Sequence, residues 1–148
     1  MRVNGWLLAG GLLSALAALL HIAIIFGGPE YYRFFGAGEA MARAAERGSA
    51  RPTLITAGIA GILFVWSAYA FSGAGLIRRL PWLRTGLITI SAIYLARGLV
   101  AVPILFIRPG LADLFLLWSS MIVMGFGLVY AIGTGTAWSE MSPRVSRK

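Results

Sequence analysis

Four apolar stretches, each about as long as a bilayer core is thick, most constrain how this chain folds. A helix rises about 1.5 Å per residue, so about 20 apolar residues cross a hydrocarbon layer of roughly 30 Å. The stretches cover residues 5–26, 53–77, 86–107 and 114–138. Of the residues, 59% are hydrophobic and only 12% are charged, too few to cover a water-exposed domain. We predict an all-α integral membrane protein with one domain, residues 1–148, folded as an antiparallel four-helix bundle.

The distribution of arginines predicts the orientation of this bundle. The short connection between the second and third stretches carries Arg78, Arg79 and Arg84 and no acidic residue, whereas the long connection at 27–52 mixes arginines with glutamates. Because basic residues in short loops remain on the cytoplasmic side, we predict an inner-membrane protein with both termini cytoplasmic. The other basic residues on the predicted cytoplasmic side are Arg2, Arg144, Arg147 and Lys148, and Arg108 falls on the outer side.

The connection at 27–52 has a pattern typical of a short interfacial helix. Glycines bracket helix-forming residues at 38–48, with Met41, Ala44 and Ala45 on one face and charged residues on the other. An aromatic cluster of the kind that lies at headgroup level precedes this segment: Tyr31, Tyr32, Phe34 and Phe35. Two interpretations stay open, an anchor in the membrane interface and a lid over a cavity between the helices.

Small residues recur every four positions in three of the stretches, which favours close contact between membrane helices. They are Gly10, Ser14 and Ala18 in the first stretch, Ala57 and Gly61 in the second, and Gly127, Ala131 and Gly135 in the fourth. The spacing predicts tight packing, either within one chain or between the two chains of a homodimer.

Arg97 is the one full charge that interrupts an apolar stretch. It lies about ten residues, or roughly 15 Å, before the outer end of the third stretch. A guanidinium in hydrocarbon costs about 2.5 to 3.5 kcal/mol, so it needs an anionic or carbonyl partner. Glu39 or Glu30 is the predicted partner, and Pro103 leaves the Leu99 carbonyl as a further acceptor. Arg97 then either stabilises the bundle or binds the carboxylate or headgroup of an amphiphile.

His21 lies in the outer half of the first stretch, at a level similar to that of Arg97 if both stretches run outward. It is either a neutral structural side chain or a ligand contact. Beside it we expect hydroxyl groups from the third and fourth stretches and a carboxylate from the outer connection. The predicted ligand-binding constellation is His21, Arg97, Tyr94, Ser119, Ser120 and one of Glu30 or Glu39.

The residue types that the sequence lacks narrow the function. With no cysteine and a single histidine there is no thiolate site and no paired-histidine site, so no metal, cofactor or catalytic residue is assigned. The net charge of +8 indicates orientation and lipid contact rather than nucleic-acid binding. The favoured hypothesis is binding of a membrane lipid or other amphiphile, alone or as an accessory subunit of a larger membrane complex. The alternatives are a homodimeric proton-coupled transporter that uses His21, and an intramembrane enzyme.

Overall fold

The computed structural model describes residues 3–107, 110 and 114–141, and these residues form helices and no strand. The predicted all-α class is confirmed. The helices are α1 (Gly5–Phe34), α2 (Glu39–Glu46), α3 (Arg51–Gly73), α4 (Leu83–Leu99), α5 (Ala101–Ile107) and α6 (Leu114–Thr136). Five basic residues of the orientation argument lie outside the described residues: Arg2, Arg108, Arg144, Arg147 and Lys148.

Four helical stretches are long and apolar enough to cross a membrane, as predicted: α1, α3, α4 together with α5, and α6. Only 17% to 28% of the most apolar part of each stretch is buried inside the protein. Most of their apolar side chains therefore face outward, where a soluble protein would expose them to water. The chain is a small multi-pass membrane protein.

α1 extends beyond residue 26, where the sequence predicts its end. The helix reaches Phe34, but its path breaks at Gly28, whose φ of 65° and ψ of −150° are not helical. Pro29 then begins a second helical segment, a position at which its fixed φ and missing N–H are tolerated. This break lets the last turns of α1 leave the direction of the spanning part.

The third stretch is interrupted near its C-terminal end. α4 ends at Leu99 and α5 begins at Ala101, with a turn at Val100. Pro103 has no N–H to donate to the Leu99 carbonyl, which accounts for the break in the helical hydrogen bonding. The predicted starts of the second and third stretches shift only slightly, to Arg51 and Leu83.

Two helix pairs, α1 with α3 and α4 with α6, make the most extensive contacts, and α1 also packs on α6. Serine hydroxyls cross both pairs. Ser67 on α3 donates to the Gly11 carbonyl at 2.8 Å, and Ser91 on α4 donates to the Gly127 carbonyl at 3.2 Å. A Cβ at Gly127 would lie 2.9 Å from the Leu95 backbone nitrogen, so only glycine allows this approach of α4 to α6.

The small-residue pattern marks real contacts in only part of the chain. Its buried members are Gly10, Ser14, Ala18 and Gly127, and its exposed members are Ala57, Gly61, Ala131 and Gly135. Tight packing is confirmed for the first stretch. In α3 the pattern lies on the outer surface, and a Cβ at Gly61 would meet nothing within 4 Å. Ala57 and Gly61 therefore do not pack within the chain, whereas Ala60, Ser67 and Ala70 on α3 are buried.

Asn4 joins the start of α1 to the ends of α3 and α6. Its backbone N–H donates to the Ala74 carbonyl at 3.2 Å. Its side-chain amide donates to the Thr136 hydroxyl at 2.9 Å and to the Gly133 carbonyl at 3.4 Å. The Asn4 Oδ1 also caps α1 by accepting from the Leu7 N–H at 3.0 Å. One residue thus joins three helices at the end of α1 that lies far from α2, through its backbone N–H and its side chain.

The short helix expected within 38–48 is confirmed as α2. It packs on α1 and α3, and Ala42 is fully buried against Ile24 and Tyr32 of α1. Met41 and Ala45 lie at the edge of this contact. The apolar face of α2 is therefore covered by the protein's own helices.

Candidate functional site

Arg97 reaches from α4 to α6 and contacts two serines there. Its Nη1 donates to the Ser120 hydroxyl at 3.1 Å, and its Nη2 donates to the Ser119 hydroxyl at 3.4 Å. Ser119 in turn donates to the Leu116 carbonyl at 3.2 Å, which leaves its oxygen lone pairs for Arg97. The structure therefore brings together three of the predicted site residues. We call this group of Arg97, Ser119 and Ser120 the arginine–serine site.

The guanidinium of Arg97 is exposed at the surface of the bundle, whereas Ser120 beneath it is only 3% exposed. A guanidinium has five N–H donors, and the two serines accept from two of them. Within the described residues, the remaining three have no acceptor and Arg97 forms no ion pair. A permanent charge with unused donors in a membrane-spanning helix attracts an anion.

The expected bond from Arg97 to the Leu99 carbonyl is not formed. Helical side chains lean toward the N-terminus of their own helix, and the Leu99 carbonyl lies on the C-terminal side of Arg97. The long side chain therefore crosses to α6, although the helix break at Val100 does leave the Leu99 carbonyl without its usual donor.

The predicted pairing of Arg97 with Glu39 or Glu30 is wrong, because another arginine contacts both carboxylates. Arg33 lies 2.9 Å from Glu39, 3.3 Å from Glu30 and 2.6 Å from Glu46. Arg33 follows the break in α1 and lies next to α2 in sequence and in space. It reaches these acids without crossing the bundle, which leaves none of them for Arg97.

The contacts of Glu39 determine its ionisation. Hydrogen bonds from Arg33, and next from Arg43 at 3.0 Å, lower the pKa of Glu39 to about 2. Glu39 is therefore an anion at any pH near neutrality. Its charge holds α2 to the end of α1 and does not exchange protons in the physiological range.

Tyr94 lies in the core and not beside Arg97. Its hydroxyl is 2.9 Å from the Ser14 hydroxyl, which is 2.8 Å from the Tyr130 hydroxyl. Tyr130 donates to the Trp66 carbonyl at 3.2 Å. A tyrosine hydroxyl has one hydrogen, so Ser14 must donate to Tyr130, and Tyr94 must donate to Ser14. Three residues along a helix differ by about 60° in direction, enough to place Tyr94 inside while Arg97 is exposed.

His21 is half-buried and contacts its own helix. Its Nδ1 lies 2.7 Å from the Ala17 carbonyl, and since a carbonyl only accepts, Nδ1 donates. None of its polar contacts joins it to Arg97 or to the serines of α6. Within the described part of the chain, no three His, Cys, Asp or Glu side chains are placed to hold a metal ion. The predicted constellation thus separates into the arginine–serine site, the core hydroxyls, His21 and the glutamates on Arg33.

Comparison with known protein families, with curated proteins and with solved structures gave no match. The functional argument therefore rests on this chain's own residues. Among the predicted residues, those of the arginine–serine site combine an exposed side chain with a charge that no acid pairs within the described part of the chain.

Sequence reasoning did not assign the polar contacts of three residues that organise the structure: Ser14, Tyr130 and Arg33. The sequence does contain a signal for Ser14, because it is the only hydroxyl residue in the small-residue pattern of the first stretch. It contains a signal for Arg33 too, since Arg33 lies three residues after Glu30 and six before Glu39. The burial of Tyr130, which is fully enclosed, has no local signal in the sequence.

Proposed function

We propose that this membrane protein binds an anionic amphiphile at the arginine–serine site, with the carboxylate or phosphate of the ligand on Arg97. One observation carries the proposal: an exposed guanidinium in a spanning helix that bonds two serines and, within the described residues, no acid. Placing that charge in the membrane costs about 2.5 to 3.5 kcal/mol, and an anionic headgroup offsets this cost.

The serines hold the guanidinium in one orientation. Ser119 and Ser120 contact different nitrogens of Arg97, so both rotation and translation of its plane are restricted. The donors that remain form part of the planar fork with which arginine binds carboxylate or phosphate through two parallel hydrogen bonds. Because Ser120 is buried, this support is rigid, and the ligand does not have to order the side chain on binding.

The surface next to the arginine–serine site suits an acyl chain. Ile93 lies one turn from Arg97 on α4, and Ile122 lies about one turn from Ser119 on α6. Compared with Arg97 and Ser119, both isoleucines lie farther from the connection between α5 and α6 and closer to the middle of the bundle. Their side chains are 45% and 56% exposed, so an acyl chain would cover apolar surface on both helices.

The turn between α1 and α2 lies near the outer side of the same surface. The ring of Phe115, one turn before Ser119 on α6, lies so close to Gly36 that a Cβ there would require the ring to move. Gly36 also has a positive φ of 70°, which a residue with a Cβ rarely adopts. A headgroup bound to Arg97 would lie on the side of the site that faces this turn.

We also propose that the protein lies in the inner membrane with both termini in the cytoplasm. Support comes from the α3–α4 connection, where Arg78 and Arg79 and the nearby Arg84 are accompanied by no acid. The arginine–serine site would then lie nearer the outer leaflet.

The test compares a charged and an uncharged amphiphile of the same chain length. Oleate and oleyl alcohol are titrated into the full-length protein in an uncharged detergent, and bound molecules are counted by native mass spectrometry. In Arg97→Gln, oleate should bind about 10- to 100-fold more weakly, since charge-assisted hydrogen bonds contribute about 1.5 to 3 kcal/mol. Binding of oleyl alcohol should remain weak in both proteins.

Arg47→Gln is the matched control, because it removes the same charge from an exposed side chain that forms no ion pair in the described structure. It should bind oleate as the wild type does. Ser119→Ala and Ser120→Ala keep the charge and should give intermediate losses. If Arg97→Gln retains oleate as well as Arg47→Gln does, Arg97 does not bind the anion and the proposal is wrong.

A further inference from the structure

We infer that a second anion site lies at the other end of the bundle, in a cleft that takes the phosphate group of a lipid headgroup or of a soluble phosphate. The cleft lies between the α3–α4 connection and the residues that follow α6, and its volume is about 390 Å³. Its lining includes Arg79, Arg84, Thr85, Trp82 and Met141. This site shares no residue with the arginine–serine site and goes beyond the function proposed above.

Arg79 brings a charge that no acid neutralises within the described residues. Its Nη2 donates to the main-chain carbonyl of Glu140 at 3.4 Å, and it forms no ion pair there. A carbonyl positions a guanidinium but does not cancel its charge. Glu140 lines a neighbouring cavity that Arg79 also lines, but within the described residues its carboxylate forms no ion pair with Arg79. The cleft is therefore electropositive at Arg79.

Arg84 brings a second guanidinium to the cleft. Trp138, which follows α6, holds it in place. Its Nη2 donates to the Trp138 carbonyl at 2.6 Å, and its guanidinium carbon lies 4.4 Å from the centre of the Trp138 ring. Stacking on an indole is a favourable arrangement for arginine and restricts its motion. With the Thr85 hydroxyl beside it, the cleft is lined by two cationic side chains and a hydroxyl group, a combination that suits phosphate oxygens.

Trp82 forms the rim of the cleft and immediately precedes α4. Its φ of 55° lies in the left-handed region, which is unusual for a large side chain, and it is 82% exposed. Its side chain does not cap α4, so the positive end of the helix dipole adds to the two arginines. An indole held outward at a helix end is typical of the level at which lipid headgroups lie.

Arg78 provides the control that separates a built site from general attraction to anionic lipid. It is adjacent to Arg79, is exposed, and does not line the cleft. Arg78→Gln and Arg79→Gln therefore remove the same charge from the same connection. A general surface potential would respond equally to both, whereas a phosphate site responds to Arg79 alone.

The experiment uses the full-length protein in nanodiscs of phosphatidylglycerol and phosphatidylcholine in equal parts. Native mass spectrometry counts the phosphatidylglycerol molecules that remain bound on release from the nanodisc. Arg79→Gln should lose a phosphatidylglycerol that wild type and Arg78→Gln keep, with affinity lowered about tenfold. Arg97→Gln should keep this molecule, so failure here is distinguishable from failure of the arginine–serine site.

Inorganic phosphate, titrated calorimetrically into the protein in uncharged detergent, distinguishes the two sources. Phosphate binding that Arg79→Gln abolishes assigns a soluble phosphate, and retention of phosphatidylglycerol alone assigns the headgroup. Thr85→Val, which keeps every charge, should also weaken phosphate or lipid binding and serves if Arg79→Gln does not fold. Equal loss in Arg78→Gln and Arg79→Gln, or no loss in both Arg79→Gln and Thr85→Val, overturns the inference.

Discussion

Replacing Ser14 by alanine should destabilise the bundle because the buried hydroxyl hydrogen of Tyr94 loses its acceptor. Ser14 accepts from Tyr94 and donates to Tyr130, and Tyr130 donates onward to the Trp66 carbonyl. Without the serine, Tyr130 keeps its carbonyl acceptor. Tyr94 loses its acceptor while only 5% exposed, and within the described residues Ser14 is the one hydrogen-bond partner of its hydroxyl.

The size of the effect follows from what is left behind. An unsatisfied buried donor costs about 1 to 3 kcal/mol, so we expect Ser14→Ala to fall in that range. Ser91→Ala removes a donor from the Gly127 carbonyl and orphans no hydrogen, and it should cost about 0.6 kcal/mol, the average for hydrogen bonds between membrane helices. In a Tyr94→Phe background the orphan is absent, so Ser14→Ala should cost about 1 kcal/mol less than in the wild type.

Unfolding by SDS from dodecylmaltoside micelles, followed by far-ultraviolet circular dichroism, gives these free energies for the four proteins of the cycle. The single variants and the double variant are compared with wild type under the same micelle composition. Two results would refute the reasoning: an equal cost of Ser14→Ala in both backgrounds, or a cost no larger than that of Ser91→Ala. Either would mean that Tyr94 finds another acceptor when the serine is removed.

Two further predictions concern α2 and the orientation. Hydrogen bonds from Arg33, and next from Arg43, lower the pKa of Glu39 from 4.5 to about 2. The stabilisation of the folded protein by these contacts is therefore complete above about pH 4.5 and is lost as the pH falls through 2. The Tm difference between wild type and Glu39→Gln should close over that window, and a constant difference would contradict the ion pair's role. Single cysteines at Ser49 and Ile77, introduced into this cysteine-free chain, should react with impermeant reagents from opposite sides of the membrane. Reaction of both from one side would disprove the span between them.

The spanning helices could be predicted from the sequence because length and hydropathy are local properties. Residues 53–77 and 114–138 differ from α3 and α6 only at their ends, where turns and caps determine the boundary. The break at Val100 also has a local cause in Pro103. Such features are determined by interactions among a few residues that are neighbours in the sequence.

The partners of Arg97 and Tyr94 could not be predicted in the same way. Each depends on how a helix is rotated, and spacing along one helix does not tell which face meets a neighbour. The sequence predicts Glu39 or Glu30 as the partner of Arg97 because a charge in a spanning helix needs an acid, but Arg33 is closer along the chain and competes for Glu39. In a membrane helix bundle, the partner of a polar side chain depends on which of a few other polar groups competes for it. The composition of a single apolar stretch does not reveal that partner.

The hydrogen-bonded series of hydroxyl groups in the core determines how each helix is rotated about its own axis. Ser14, Trp66, Tyr94 and Tyr130 come from α1, α3, α4 and α6, so all four spanning stretches contribute. A shift of one residue turns a helix by about 100°, which would separate that helix from the others' hydroxyl or carbonyl groups. Apolar side chains are equally well solvated by lipid and by other helices, so they permit several rotations. Tyr130 lies on α6, the last helix to be inserted into the membrane. The hydrogen-bonded series of hydroxyls is therefore complete only when all four spanning stretches have been inserted.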